Sequence, residues 1–276
     1  MVAAALRREA FFLPGPMGGR FCLLTLPVCE IRGALLFVPP FAEELNKSRR
    51  MVALAARAFA EHGWAVLQID LLGCGDSAGD FGEATWLAWV DDVALAHQWL
   101  KGRCGVEAAL WSLRAGSLLA SDWFAMEGVD VPWLVWQPVT NGKQHLNQFL
   151  RLKGASQMLA DAGAKAAMGA LRTEISRGET VEVAGYALAA GLVKGLEQAV
   201  MRLDGTRNAP IRVLEVASGE GGTLSPTVSR LVDEWRHLGF DVNAGAVAGS
   251  AFWQTQEIEL ASELIQRSLT ELECFL

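Results

Sequence analysis

Along the chain, short runs of apolar residues alternate with longer stretches whose apolar positions recur every three or four residues. The first pattern fits buried strands and the second amphipathic helices. "FFLPGPMGGRFCLLTLP" predicts two strands joined by a Pro/Gly turn. "GALLFVPPF" predicts a third that stops at Pro39-Pro40, since proline offers no ladder donor. "SRRMVALAARAFAEHG" has helical spacing at Met51, Leu54, Ala55 and Phe59 and ends at Gly63, a residue suited to a C-terminal cap. "WAVLQID" then reads as a buried strand, "LLGCGDSAGDFGEA" as a long turn and "TWLAWVDDVALAHQWL" as a helix.

The alternation continues through "VEAALW", a tight turn at "SLRAG", a helix beginning "SLLASDWFAM" and the strand "VPWLVWQP". Residues 141–205 interrupt it with segments that predict helix or loop and no clear strand. "APIRVLEVAS", "SPTVSRLVDEWRHLGF" and "DVNAGAVAG" resume it, followed by a closing helix from about Gln256. Such alternation predicts an α/β fold: a mostly parallel central sheet with antiparallel N-terminal strands and helices on both faces. The expected organisation is a core of residues 1–140 and 206–276 with a helical cap insertion at 141–205, a single structural domain overall.

Composition narrows the class. Hydrophobic residues make up 51% of the 276 and charged residues 20%, which supports a sizeable core. The net charge is −7, and no Lys/Arg cluster is large enough to follow a phosphate backbone, so nucleic acid is not an expected partner. Five cysteines without close C-x-x-C spacing argue against a zinc site or a disulfide framework and fit a reducing cytoplasm. The N-terminal "MVAAALRREAFFLPGP" carries its charges after the apolar run, the reverse of a signal peptide. The most apolar later stretch is broken by Lys194 and Glu197 and is too short to span a bilayer, so no integral membrane segment is expected. Gly73, Gly75 and Gly79 miss the G-x-G-x-x-G spacing, and no other pattern implies a cofactor or a metal.

Three landmarks fall in order: "PPFAEE" after the third strand, "DLLGCGDSAGDF" after the fourth and "SLRAG" after the fifth. Together they resemble the α/β-hydrolase superfamily over nearly the whole chain. "PPFAEELNKSRRM", "GCGDSAGDF", "WQPVTNGKQHLNQFLRL" and "FWQTQEIEL" look more narrowly like the exosortase A system-associated hydrolases of the second type. The resemblance implies the α/β-hydrolase fold. It also implies a bacterial cytoplasmic protein associated with exopolysaccharide and protein-sorting gene clusters, without a known substrate.

In that superfamily the turn after the fifth strand reads G-x-S-x-G, and its central serine attacks. Here the small residues are Ser112 and Gly116, and the centre is Arg114. A guanidinium stays protonated and has only donors, so it cannot be an acyl nucleophile. It can hold a carboxylate or phosphate, helped by the adjoining helix N-terminus, or it can simply tie loops together through an ion pair. By the family pattern, the oxyanion-type donors would be the backbone N–H groups of Phe41 and Ala115. Glu44 is placed to pair with Arg114, to direct a water as general base, or to stand as a solvated helix-start carboxylate.

The other triad members are missing from their usual places. The family's acid would sit in "ASGEGGTLSP", where Gly221 and Gly222 stand with Glu220 adjacent. Its histidine would follow the last strand, where Ser250, Ala251, Phe252 and Trp253 offer no imidazole. His62, His97 and His237 read as helix-end or packed groups, which leaves His145 as the one histidine able to reach a pocket from the cap. Ser112 and Ser117 flank the turn in an unsuitable frame for a replacement nucleophile, and Cys74 has no obvious base. Most of the ten tryptophans stand at core spacing, whereas Trp253 is expected at the pocket beside Ser112, Glu220 and His145. Two functions follow. One is an acyl or ester hydrolase on an anionic substrate, working through Arg114 with Glu44 or a bound water. The other is a non-catalytic binder of an anionic small molecule, saccharide or lipid-linked ligand, or a partner.

Overall fold

In a computed structural model the described residues are 6–157, 169, 173–175, 177–203, 205, 207–217, 219 and 222–276. Eight strands form the central sheet: β1 Arg7–Gly15, β2 Gly18–Leu26, β3 Gly33–Val38, β4 Trp64–Ile69, β5 Ala108–Leu113, β6 Trp133–Trp136, β9 Ile211–Ala217 and β10 Val242–Ala248. Their order is β1-β2-β4-β3-β5-β6-β9-β10. β1 pairs antiparallel with β2, and β2 antiparallel with β4. Every later pairing is parallel. This is the α/β arrangement that the alternation of patterns predicts.

Side-chain alternation sorts the core onto two sides of the sheet, as a pleated strand requires. From β3, Leu36 and Val38 join the side covered by α2 (Trp86–Cys104), α3 (Gly116–Glu127) and α6 (Pro226–His237). Leu35 and Phe37 point the other way, into the side covered by α1 (Glu43–Glu61) and α7 (Ser262–Leu272). Trp111 on β5 and Trp136 on β6 fill that second side, with their ring centroids 4.7 Å apart. The tryptophans expected in the core are buried or packed against it.

Several sequence expectations need correction. Between β6 and β9 stand α4 (Gly142–Gln157) and α5 (Ala190–Gln198), but also an antiparallel pair, β7 (Val181–Val183) with β8 (Tyr186–Leu188). Strands of three residues are too short to show an alternating pattern. The closing helix begins at Ser262 rather than near Gln256, because residues 256–261 carry no helical pattern of buried positions. α1 begins at Glu43, five residues before the segment read as helical at Ser48, so Glu43 and Glu44 form its first turn, where the dipole favours them.

Of the five non-glycine residues with positive φ among the described residues, three follow the C-terminal ends of the adjacent strands β3, β5 and β6, while Met17 and Ala184 lie in the β1–β2 and β7–β8 turns. Ala42, Arg114 and Gln137 have φ of 51°, 53° and 43° without being glycine. Each such residue costs on the order of 1–3 kcal/mol and persists only where its surroundings enforce it. The enforcement at Arg114 is visible. Its N–H donates to Trp136 O at 3.1 Å, and its carbonyl accepts from the Ser117 hydroxyl at 2.6 Å and from Val139 N at 3.2 Å. Two residues on, Gly116 lets α3 press against β3: a Cβ there would lie 2.3 Å from Val38 O and 2.7 Å from Pro39 O. Both obstacles are backbone and cannot step aside. Gly116→Ala is therefore expected to lower stability by about 1–3 kcal/mol through overpacking, measured as a drop in the denaturant midpoint. An unchanged midpoint would mean that this turn is not held against β3.

Candidate functional site

The strained turn aims Arg114 into a cavity of about 220 Å³ lined by Phe41, Glu44, Lys47, His145, Phe149 and Trp253, among others. Glu44 arrives from the first turn of α1, which the positive φ of Ala42 turns back over the sheet edge. Arg114 Nε and Nη2 lie 3.1 and 3.0 Å from one oxygen, Glu44 Oε1. The guanidinium carbon sits 5.4 Å from the ring centroid of Trp253, within cation–π range. The pair is largely sheltered, with side-chain exposures of 16% and 18%. Geometry is what such a pair fixes, since desolvation offsets most of its Coulomb gain.

The second carboxylate oxygen is the unusual feature. Glu44 Oε2 is buried and has no hydrogen-bond partner, and neither has either ring nitrogen of His145. The closest approach between them is 3.9 Å, His145 Nε2 to Glu44 Oε2, too long for a hydrogen bond. Buried polar atoms are nearly always satisfied, so three orphans around one cavity point to a ligand or water group between them. Burial pushes the Glu44 carboxyl up, against the pull of Arg114 and Lys47. Burial, with Arg114 in second place, pushes His145 down to about 3. At neutral pH the imidazole is uncharged.

A second cleft, of about 190 Å³ between α1 and β2, β3 and β4, holds the Arg49–Asp70 pair. Its walls are mostly apolar, and none of the orphaned atoms lies in it.

The expected residues distribute unevenly. Arg114, Glu44, His145, Trp253 and Phe41 line the same cavity. Ala115 is the residue before α3, and no hydrogen-bond partner is found for its N–H or for that of Phe41 among the described residues. Ser112 is a correction: it is fully buried in β5, and its hydroxyl accepts the Trp133 indole N–H at 2.9 Å, so it does not line the cavity. Its strand register sends it to the opposite side of the sheet from its neighbour Trp111. Glu220 lies outside the described residues. Lys47, Gln148 and Phe149 line the cavity as well and escaped the sequence reading, because each continues an ordinary helical face. Phe41 is the hub of an aromatic wall, with ring centroids 5.1 Å from Phe149 and 6.0 Å from His145.

No serine-type relay is assembled among the described residues. Ser117 spends its hydroxyl on the carbonyls of Arg114 and Val139. Burial, followed by Asp70 and Asp92, pushes the Cys74 thiol up to about 12, so it is not a thiolate. The rings of His62, His97 and His237 bond to backbone carbonyls. Among the described residues, no group of three or more His, Cys, Asp or Glu side chains could hold a metal ion, and no helix is long and apolar enough to cross a membrane.

The sequence matches no family model and no curated protein. Solved structures do match. A lidless α/β serine hydrolase from Xanthomonas campestris is 14% identical with a TM-score of 0.57, covering 98% of this chain and 95% of its own. The esterase Est1E of Butyrivibrio proteoclasticus, solved with ferulic acid, is 15% identical with a TM-score of 0.65, over 96% of this chain and 98% of its own. A thermostable carboxyl esterase from Bacillus coagulans is 13% identical with a TM-score of 0.61, over 98% and 99%. The chain has the α/β-hydrolase fold. At these identities the likeness carries the architecture and not the activity.

The buried imidazole sets a pH response. His145 titrates near 6.5 when unfolded and at about 3 when folded, so between those values the unfolded chain binds the extra proton. Stability contributed by this group is complete above the upper value and falls as the pH drops through the window, by up to about 1.4 kcal/mol per pH unit. In His145→Phe the acid destabilisation below pH 6.5 is expected to be correspondingly shallower, measured by denaturant unfolding at stepped pH. An identical slope in both proteins would show that His145 is not buried neutral.

Proposed function

We propose that this α/β-hydrolase-fold chain is a non-catalytic binder, whose pocket holds an anionic small ligand through Arg114 where serine relatives carry out acyl transfer. The observation that supports this best is the guanidinium at the strained turn, beside Trp253 and Lys47, with Nη1 left unpaired among the described residues. A permanently charged fork suits carboxylate or phosphate, and the free N–H groups of Phe41 and Ala115 add neutral donors nearby. The same N–H pair that would stabilise an oxyanion then serves as a recognition element. His145, Gln148 and Phe149 of α4, in the segment expected to cap the pocket, select what enters. The resemblance to exosortase A system-associated hydrolases supports a bacterial cytoplasmic setting tied to exopolysaccharide or protein sorting, with a saccharide- or lipid-linked anion as ligand.

A second reading has its own support. Glu44 Oε2 and His145 Nε2 could hold a water between them, with the carboxylate as general base and Arg114 steadying the developing oxyanion. That would be hydrolysis without an acyl-enzyme. Turnover of para-nitrophenyl esters separates the readings. The binder is expected to show no acyl burst and no turnover that Glu44→Gln removes. It is also expected to bind an anionic ligand saturably, with Arg114→Ala weakening binding by about thirtyfold, the loss of one charge-assisted contact of about 2 kcal/mol. Ester turnover that collapses in both Arg114→Ala and Glu44→Gln would overturn it in favour of the enzyme.

A further inference from the structure

Glu44 occupies Arg114 in a half-made way. It offers one oxygen to two guanidinium nitrogens and leaves the other buried without a partner. A carboxylate that fits its arginine well engages both oxygens in a parallel fork. We infer, resting on the binding role proposed above, that Glu44 is an internal stand-in for the ligand, and that the pocket takes a small monocarboxylate by exchange for it, together with one proton.

Charge counting around the cavity supports the proton. Arg114 and Lys47 are positive and Glu43 and Glu44 negative, so the empty pocket is balanced. A monoanion entering makes it −1, in space where carboxylates stand close to one another and solvent screens little. One proton from solvent restores the balance. Of the two acids, Glu43 already accepts the Tyr186 hydroxyl at 3.2 Å, whereas Glu44 has an oxygen with no donor. On leaving Arg114, a protonated Glu44 needs an acceptor, and Nε2 of the uncharged His145 ring, 3.9 Å from Oε2, supplies one in the Nδ1–H tautomer once a side-chain rotation brings the two together. The exchange thus satisfies atoms orphaned in the empty pocket. The groups facing Glu44 are Glu43 and Lys47 from α1, Arg114 from the turn and His145 from α4, while Trp253 and Gln254 bring no titrating group. Burial already holds the Glu44 carboxyl above its usual range with Arg114 in place, and removal of Arg114 to a ligand raises it further. The walls of Phe41, Phe149 and Trp253 and the 220 Å³ of space suit a compact carboxylate with an apolar or aromatic body.

Calorimetry with benzoate in two buffers of different ionisation enthalpy at pH 7 reads both halves, with benzamide as the neutral isostere. The expected result is saturable benzoate binding at least tenfold tighter than benzamide, uptake of close to one proton, and affinity falling by about tenfold per unit as pH rises above 7. Glu44→Gln should bind benzoate with no uptake and no such pH dependence, and more tightly than the native protein at pH 8. Benzoate binding without proton uptake by the native protein would overturn the exchange while leaving anion recognition standing. So would uptake that persists in Glu44→Gln and disappears in His145→Asn. Equal affinity for benzoate and benzamide, or no binding of either, would overturn the anion-recognition reading and the inference with it. If one variant fails to fold, the other still assigns the proton, and the presence or absence of uptake by the native protein still supports or overturns the exchange.

Discussion

Everything at this site follows from a backbone constraint: the chain must reverse from β5 into α3 within Arg114 and Ala115, while α3 lies against the carbonyls of Val38 and Pro39. Only a left-handed residue at 114 and a residue without Cβ at 116 satisfy both demands. The side chain at 114 is therefore delivered to the C-terminal edge of the sheet whatever it is. α/β sheets place ligands at that edge because the strand ends and helix starts leave unpaired donors there. A guanidinium in place of a hydroxyl keeps the delivery and, on the proposed reading, changes the chemistry from attack to attraction.

The surroundings are consistent with that change. Around the turn stand an acid that answers the arginine, an aromatic ring at cation–π distance and an imidazole too buried to charge. None of these is arranged as a proton relay to a hydroxyl. Ala42, four residues past the end of β3, and Gln137, the residue after β6, carry the same left-handed backbone on either side of the turn. Three strained residues just beyond neighbouring strands each lower stability and persist because the surrounding structure enforces them.

Much of this was legible in the sequence because the signals were local. Apolar periodicity gave the eight sheet strands, and small residues flanking Arg114 marked the turn. The Arg114–Glu44 approach could be anticipated because the segments that follow the adjacent strands β3 and β5 bring those positions together. What escaped were features set by tertiary contact. The three-residue strands β7 and β8 have no period of their own. Ser112 alternates away from the cavity, and its partner Trp133 becomes visible only when β5 and β6 are laid side by side. Lys47, Gln148 and Phe149 look like routine helix residues until α1 and α4 converge over the sheet. The missing hydrogen bonds of Glu44 and His145, which carry most of the functional reasoning, are a property of packing with no counterpart in sequence.

On the proposed function, the guanidinium at the turn is the anchor for a ligand carboxylate. A crystal structure of the protein soaked with benzoate tests it most directly. The expected result has the benzoate oxygens in a paired contact with Arg114, the ring against Phe41 and Phe149, and Glu44 turned toward His145. Density for benzoate elsewhere with the Arg114–Glu44 pair undisturbed, or an Arg114 side chain directed out of the cavity, would contradict it.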